Sequence, residues 1–72
     1  MNLTTFFVVR VNGNSADAEA ADSLEAAIDR CCVDLSNLVE FMSVEAEDRY
    51  AAVEKAANHP QWKVVPRERL PQ

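Results

Sequence analysis

Residues 3–13 read LTTFFVVRVNG and carry the clearest structural signals in this chain. The first nine of them are mostly β-branched or aromatic and include no glycine or proline, which predicts a strand over residues 3–11. Asn12-Gly13 follows at once, and this dipeptide accepts the positive φ angles that both central residues of a type I′ turn require. The sequence therefore predicts a β-hairpin whose second strand spans residues 14–21.

Both faces of the first predicted strand carry apolar side chains. One face is almost wholly apolar and is predicted to face the core: Leu3, Thr5, Phe7, Val9 and Val11. The other face carries Phe6 and Val8, which is more apolar surface than a solvent-facing side usually exposes. Either this strand is central, with cover on both sides, or Phe6 and Val8 belong to a contact surface.

An apolar stripe with steps of four and three residues is predicted to face the core, and it comprises Leu24, Ile28, Cys31, Leu35, Leu38 and Met42. This spacing predicts one helix over residues 23–42. Residues 38–44, LVEFMSV, are also compatible with a strand. Their apolar residues are paired rather than alternating, and this pairing favours the helix.

A second helix is predicted over residues 44–58, with Ser43 as its N-cap and Asn58 as its C-cap. Its apolar stripe comprises Ala46, Tyr50, Val53 and Ala57. A last strand is predicted over residues 61–65. The expected fold class is α+β: a small antiparallel sheet, made of the β-hairpin and the C-terminal strand, packed against two helices on one face.

Asp22-Ser23-Leu24 resembles the tripeptide at which acyl carrier proteins take a phosphopantetheine arm on the serine. In that family a helix and a long loop precede the serine, whereas here a predicted strand and an Asn-Gly turn precede it. Asp22 and Glu25 have the spacing of a capping box, with Asp22 as the N-cap. We therefore predict that these residues begin a helix and that Ser23 carries no prosthetic group.

Length and composition predict one small domain over residues 1–72, with residues 66–72 as a partly ordered tail. No apolar run approaches the roughly 18 residues that a membrane span needs, and the start lacks a signal-peptide pattern, so we expect a cytoplasmic protein without membrane contact. Cys31 and Cys32 are neighbours and cannot join distant parts of the chain. With His59 as the one histidine, neither a metal site nor a cofactor is expected.

The residues that enzymes need are scarce in this sequence. It has no glycine-rich phosphate loop, no metal-ligand cluster and no distinctive pair of carboxylates, and one histidine offers little choice of base. We therefore expect that the protein is not an enzyme and that it acts by binding another protein.

Charge is distributed unevenly along the chain, whose net charge is −5. Eleven of the twelve acids lie between residues 15 and 54, and basic residues predominate after residue 54. The first hypothesis is an inhibitor whose acidic face docks on a basic partner that normally binds nucleic acid. That face comprises Asp34, Glu40, Glu45, Glu47 and Asp48. Small acidic proteins of this size are a common format for phage- and plasmid-encoded inhibitors, including anti-CRISPR proteins.

Two alternatives use other surfaces. A homodimer or accessory subunit would associate through apolar contacts at Phe6, Val8, Phe41 and Tyr50. Direct nucleic-acid binding would use Trp62 with the basic residues Lys63, Arg67 and Arg69. The acidic character of the whole chain disfavours nucleic-acid binding, because a polyanion would repel it.

Overall fold

The computed structural model describes residues 2–31, 38–59 and 61–69. Within them, four strands and two helices follow one another, with a short 3₁₀ helix at Arg67–Arg69. The elements are β1 Thr4–Val11, β2 Asn14–Ala21, α1 Leu24–Cys31, β3 Val39–Ala46, α2 Arg49–Ala57 and β4 Lys63–Val64. The strands form one antiparallel sheet in the order β2-β1-β3-β4. The predicted α+β class and the sheet containing the hairpin and the C-terminal strand are confirmed.

The hairpin forms as its turn residues predict. Asn12 and Gly13 have φ angles of 55° and 72°, and Val11 pairs with Asn14 directly beside the turn. Further along, the β1–β2 pairing shifts its register between Val9 and Val11. The thiol of Cys31 donates a hydrogen bond to the Val9 carbonyl near this irregularity, at 3.4 Å, so Cys31 has a structural role.

The two helices lie on opposite faces of the sheet, which corrects the prediction that both cover one face. On one face, α1 packs on Val9 of β1 and Val39 of β3. On the other face, α2 packs on Val8 and Met42. Successive residues of a strand point to opposite faces, so these neighbouring residues belong to two separate layers. Of the two interpretations of β1, the central strand with cover on both sides is confirmed.

The predicted long helix does not extend to Met42. Helix α1 is described over Leu24–Cys31, and Val39–Ala46 form β3, which pairs with β1 along its whole length. The helix prediction for residues 39–42 is therefore wrong, and the strand alternative is confirmed there. Because both faces of β3 are covered, its two sides both carry apolar residues, which removes the alternation typical of a half-exposed strand.

The cap of α1 is displaced by one residue from its predicted position. Ser23, rather than Asp22, has the position of the N-cap: its Oγ accepts a hydrogen bond from the Ala26 amide at 3.2 Å, and its carbonyl accepts from Ala27. Ser23 therefore caps the beginning of this helix.

We expect Ser23→Ala to lower the free energy of unfolding by about 1 kcal/mol, because the first turn of α1 loses its side-chain acceptor. Asp22→Ala should change it by less than about half of that, since Asp22 lies outside the cap. Urea denaturation of both variants measures the two differences. Equal losses, or a larger loss for Asp22→Ala, would contradict the assignment of the cap.

The helix α2 is also shorter than predicted, because its cap is Asp48 and not Ser43. The Oδ1 atom of Asp48 accepts from the Ala51 amide at 2.8 Å, and Ser43 lies within β3. The predicted C-cap at Asn58 is confirmed. Ala52 and Ala56 form the buried side of the helix, whereas Tyr50 is exposed, so the predicted apolar stripe is wrong at Tyr50.

The core differs from the predicted one at its margins. Val9, Leu24, Ile28 and Met42 are buried as predicted. Four residues expected in the core are exposed instead: Leu3, Leu38, Tyr50 and Val64. The last predicted strand is reduced to Lys63–Val64, and Val65 rather than Val64 enters the core. Leu35, another predicted core residue, lies outside the described residues.

Candidate protein-binding surface

Three of the five residues predicted to form an acidic face lie together where β3 leads into α2. Glu45 is near the end of β3, and Glu47 and Asp48 form the connection to α2. All three are exposed. Asp34 lies outside the described residues.

Glu40 does not belong to this exposed face. Its Oε1 accepts a hydrogen bond from Arg10 Nε at 3.1 Å, directly across the β1–β3 ladder. The two side chains are only 19% and 16% exposed, and the Arg10 guanidinium stacks 4.2 Å from the centre of the Trp62 ring. The carboxylate of Glu40 is neutralised inside the structure, and its prediction as a partner contact is corrected.

The predicted apolar contact surface is largely internal. Val8 is completely buried, which contradicts a contact role for it. Phe6 and Phe41 are half-buried and pack against the core layers on opposite faces of the sheet. The structure therefore does not bring Phe6, Val8 and Phe41 together on one outer surface. Tyr50 is different, because 71% of its surface is exposed.

Tyr50 lies in the first turn of α2, among acidic residues. Glu47 precedes it by three residues and Glu54 follows it by four, and both are exposed. Residues four apart lie on one side of a helix, so Glu54 shares a side of α2 with Tyr50, while Glu47 lies two residues before the helix begins. We define the α2 acidic surface as the set Glu45, Glu47, Asp48, Tyr50 and Glu54. Glu54 was not among the residues predicted from the sequence, because its spacing from Tyr50 is informative only once the helix is known to begin at Arg49.

Among the described residues, no ion pair involves a carboxylate of the α2 acidic surface. The Nζ atom of Lys55 donates to the backbone carbonyl of Glu45 at 2.7 Å rather than to a carboxylate, and the Arg49 guanidinium donates to the Tyr50 hydroxyl. The charges of Glu47 and Glu54 therefore remain available to a binding partner.

Arg49 holds the Tyr50 ring in place. Its Nη2 donates to the Tyr50 hydroxyl at 3.0 Å, and its guanidinium lies 5.0 Å from the centre of the ring. The hydrogen bond with Tyr50, its electrostatic interaction with that residue and a smaller one with Glu19 raise the pKa of Arg49 above its usual value. A fixed aromatic ring loses less conformational freedom when a partner binds it.

The basic C-terminal segment offers no free ring for a nucleic-acid base. Lys63 and Arg67 are exposed, as the nucleic-acid alternative needs. The Trp62 ring, however, stacks on Arg10 and packs against the core layer beneath α2. A base would have to displace these contacts before it could stack on Trp62.

Two open grooves are lined by residues outside the α2 acidic surface, although Arg49, which contacts Tyr50, lines one of them. The larger, of about 480 Å³, has an apolar floor that includes Phe6, with two aspartates and two arginines on its walls: Asp22, Asp29, Arg30 and Arg49. The smaller, of about 290 Å³, lies beside the outer edge of β3 and contains Ser43, His59, Gln61 and Lys63. Among the described residues, no three potential metal ligands cluster in either groove or elsewhere.

No protein-family model, curated protein sequence or solved structure matches this chain. Across the described ranges, neither helix has the length and apolar character needed to cross a membrane.

Proposed function

We propose that this protein is a non-enzymatic protein-binding module whose α2 acidic surface docks on a basic surface of another protein. The partner we expect is one whose basic surface normally binds nucleic acid. Carboxylates on a rigid helix would occupy the positions that phosphates take in such a groove. The protein would thereby inhibit its partner, in the format of phage- or plasmid-encoded inhibitors such as anti-CRISPR proteins, and would act in the cytoplasm.

The observation that supports this proposal is the exposure of Tyr50 amid unpaired acids. Tyrosine is enriched among the residues that dominate binding energy at protein interfaces. An aromatic ring that is 71% exposed and held by Arg49 is suited to fill a pocket on a partner. Glu47 and Glu54 on either side of it would supply long-range attraction to a basic surface.

Photo-crosslinking tests the proposal directly. A benzophenone amino acid at position 50, expressed in the native host, should form a covalent adduct with a protein that has a basic nucleic-acid-binding surface. The same residue at position 68 is the control, because Glu68 is also exposed but lies outside the α2 acidic surface. Adducts of the same proteins from both positions, or adducts from position 50 with acidic proteins only, would contradict the proposal.

A homodimer is the alternative function, and one observation favours it on a different surface. Val64 is 59% exposed and pairs with Glu40, two residues from Leu38, which is 49% exposed. In a homodimer, these two aliphatic side chains would pack against those of a second copy of the chain and be removed from solvent. Sedimentation would then show a dimer that survives high salt and dissociates in Val64→Asp, whereas a monomer at all salt concentrations would exclude it.

A further inference from the structure

The strand β4 begins at Lys63, although its register with β3 would allow pairing to begin two residues earlier, at Gln61. It pairs Val64 with Glu40 and Lys63 with Phe41, and the Val65 amide donates to the Val39 carbonyl at 2.8 Å. Backbone bonds of an antiparallel ladder recur every second residue along each strand. Continuing from Val39–Val65 and Phe41–Lys63, the next bonded pair would be Ser43 with Gln61.

This next pair is not formed, and the Gln61 amide has another acceptor. It donates to the Nδ1 atom of His59 at 3.2 Å, and among the described residues no backbone bond joins Gln61 to Ser43. His59 is itself anchored at the end of α2, where its amide donates to the Ala56 carbonyl at 3.0 Å. Ser43 is exposed and lines the same open groove as His59 and Gln61.

We infer that His59 is a pH-sensitive stop for β4. Nδ1 accepts a hydrogen bond only when the imidazole is neutral, because both ring nitrogens of a protonated imidazole carry hydrogens. Protonation of His59 therefore removes the acceptor from the Gln61 amide. The freed amide then pairs with the Ser43 carbonyl, and β4 lengthens across the smaller groove. This inference is independent of the proposed function.

Charged residues lie near His59 on three elements. Lys63 lines the same groove, Glu40 and Glu45 lie on β3, and Glu54 and Lys55 lie in the later turns of α2. The Lys55 ammonium donates a hydrogen bond to the Glu45 carbonyl, and the hydrogen used in that bond is not available to the imidazole of His59.

Nuclear magnetic resonance of the whole chain between about pH 5 and pH 8 tests this stop. As the His59 ring signals titrate, the Gln61 amide proton should shift with the same midpoint. An amide–amide NOE between Ser43 and Gln61 should appear on the acidic side.

Two variants separate the stop from a general effect of acid. His59→Phe has no acceptor and should show the Ser43–Gln61 NOE at every pH. His59→Asn keeps an acceptor that does not titrate in this range and should lack the NOE at every pH. A Gln61 amide that does not move while the His59 ring titrates would overturn the inference. The absence of the NOE from His59→Phe throughout the range would overturn it as well.

Discussion

Val8→Asp is expected to abolish cooperative folding. Val8 is completely buried beneath α2, opposite Met42 in the β1–β3 ladder. A carboxylate there has no available cation, because the guanidinium of Arg10 is already paired with Glu40. Burying an unpaired charge costs several kcal/mol, and a domain of this size has a stability of only a few kcal/mol. The variant should therefore give no cooperative thermal transition by circular dichroism.

Tyr50→Asp is the matched control for this experiment, since it introduces the same carboxylate at a site that is 71% exposed. It should remain folded, with a melting temperature within a few degrees of the wild-type value, as is usual for surface substitutions. If Val8→Asp melted cooperatively near the wild-type temperature, Val8 would lie on an outer surface. The two-sided core would then be wrong.

Charge reversal of the α2 acidic surface should slow association with the partner captured through position 50. The double variant Glu47→Lys/Glu54→Lys replaces two attractive charges by two repulsive ones on either side of Tyr50. We expect its association rate constant at low salt to fall by about tenfold or more, because charged groups at an interface act mainly on the rate of encounter. Stopped-flow fluorescence or surface plasmon resonance measures this rate.

The control for charge reversal is Glu25→Lys/Glu68→Lys, which changes the net charge by the same amount at two other exposed sites. It should reduce the association rate by less than about threefold, because only the global attraction is weakened. Equal effects of the two double variants would mean that net charge alone drives the encounter. In that case the α2 acidic surface would have no special role.

Local turn chemistry made the hairpin predictable from the sequence. Asn12-Gly13 needs only its own backbone preferences to form a type I′ turn, and those preferences do not depend on the rest of the fold. The C-cap at Asn58 was predictable for a similar local reason.

The identity of β3 depended on tertiary structure. Val39 and Phe41 face α1 while Met42 and Val44 face α2, so the strand is apolar on both sides. The apolar pattern of such a short segment is compatible with a helix and with a buried strand. The helical spacing that begins at Leu24 continues into this segment, and it therefore favoured the helix, which is wrong for β3. The buried side of α2 was hard to predict because it consists of alanines, and alanine occurs on both the buried and the exposed sides of helices. Tyr50 was assigned to the core for this reason.

The candidate surface was predictable only in part. The density of acids around residue 47 is visible in the sequence, and it correctly suggested Glu45, Glu47 and Asp48 as exposed residues. The sequence does not show that Glu40 is paired across the sheet with Arg10, since thirty positions separate the two residues. Long-range pairs of this kind follow from strand register, which is set by the fold as a whole.

The dependence of the association rate on ionic strength is the most direct test of electrostatic docking by the α2 acidic surface. For the wild-type protein and the partner captured at position 50, this rate should fall steeply between about 0.01 M and about 1 M salt, as the screening length shortens from about 30 Å to about 3 Å. The reversed variant Glu47→Lys/Glu54→Lys should lose most of that dependence. A wild-type rate that stays constant over this range would contradict electrostatic docking through this surface.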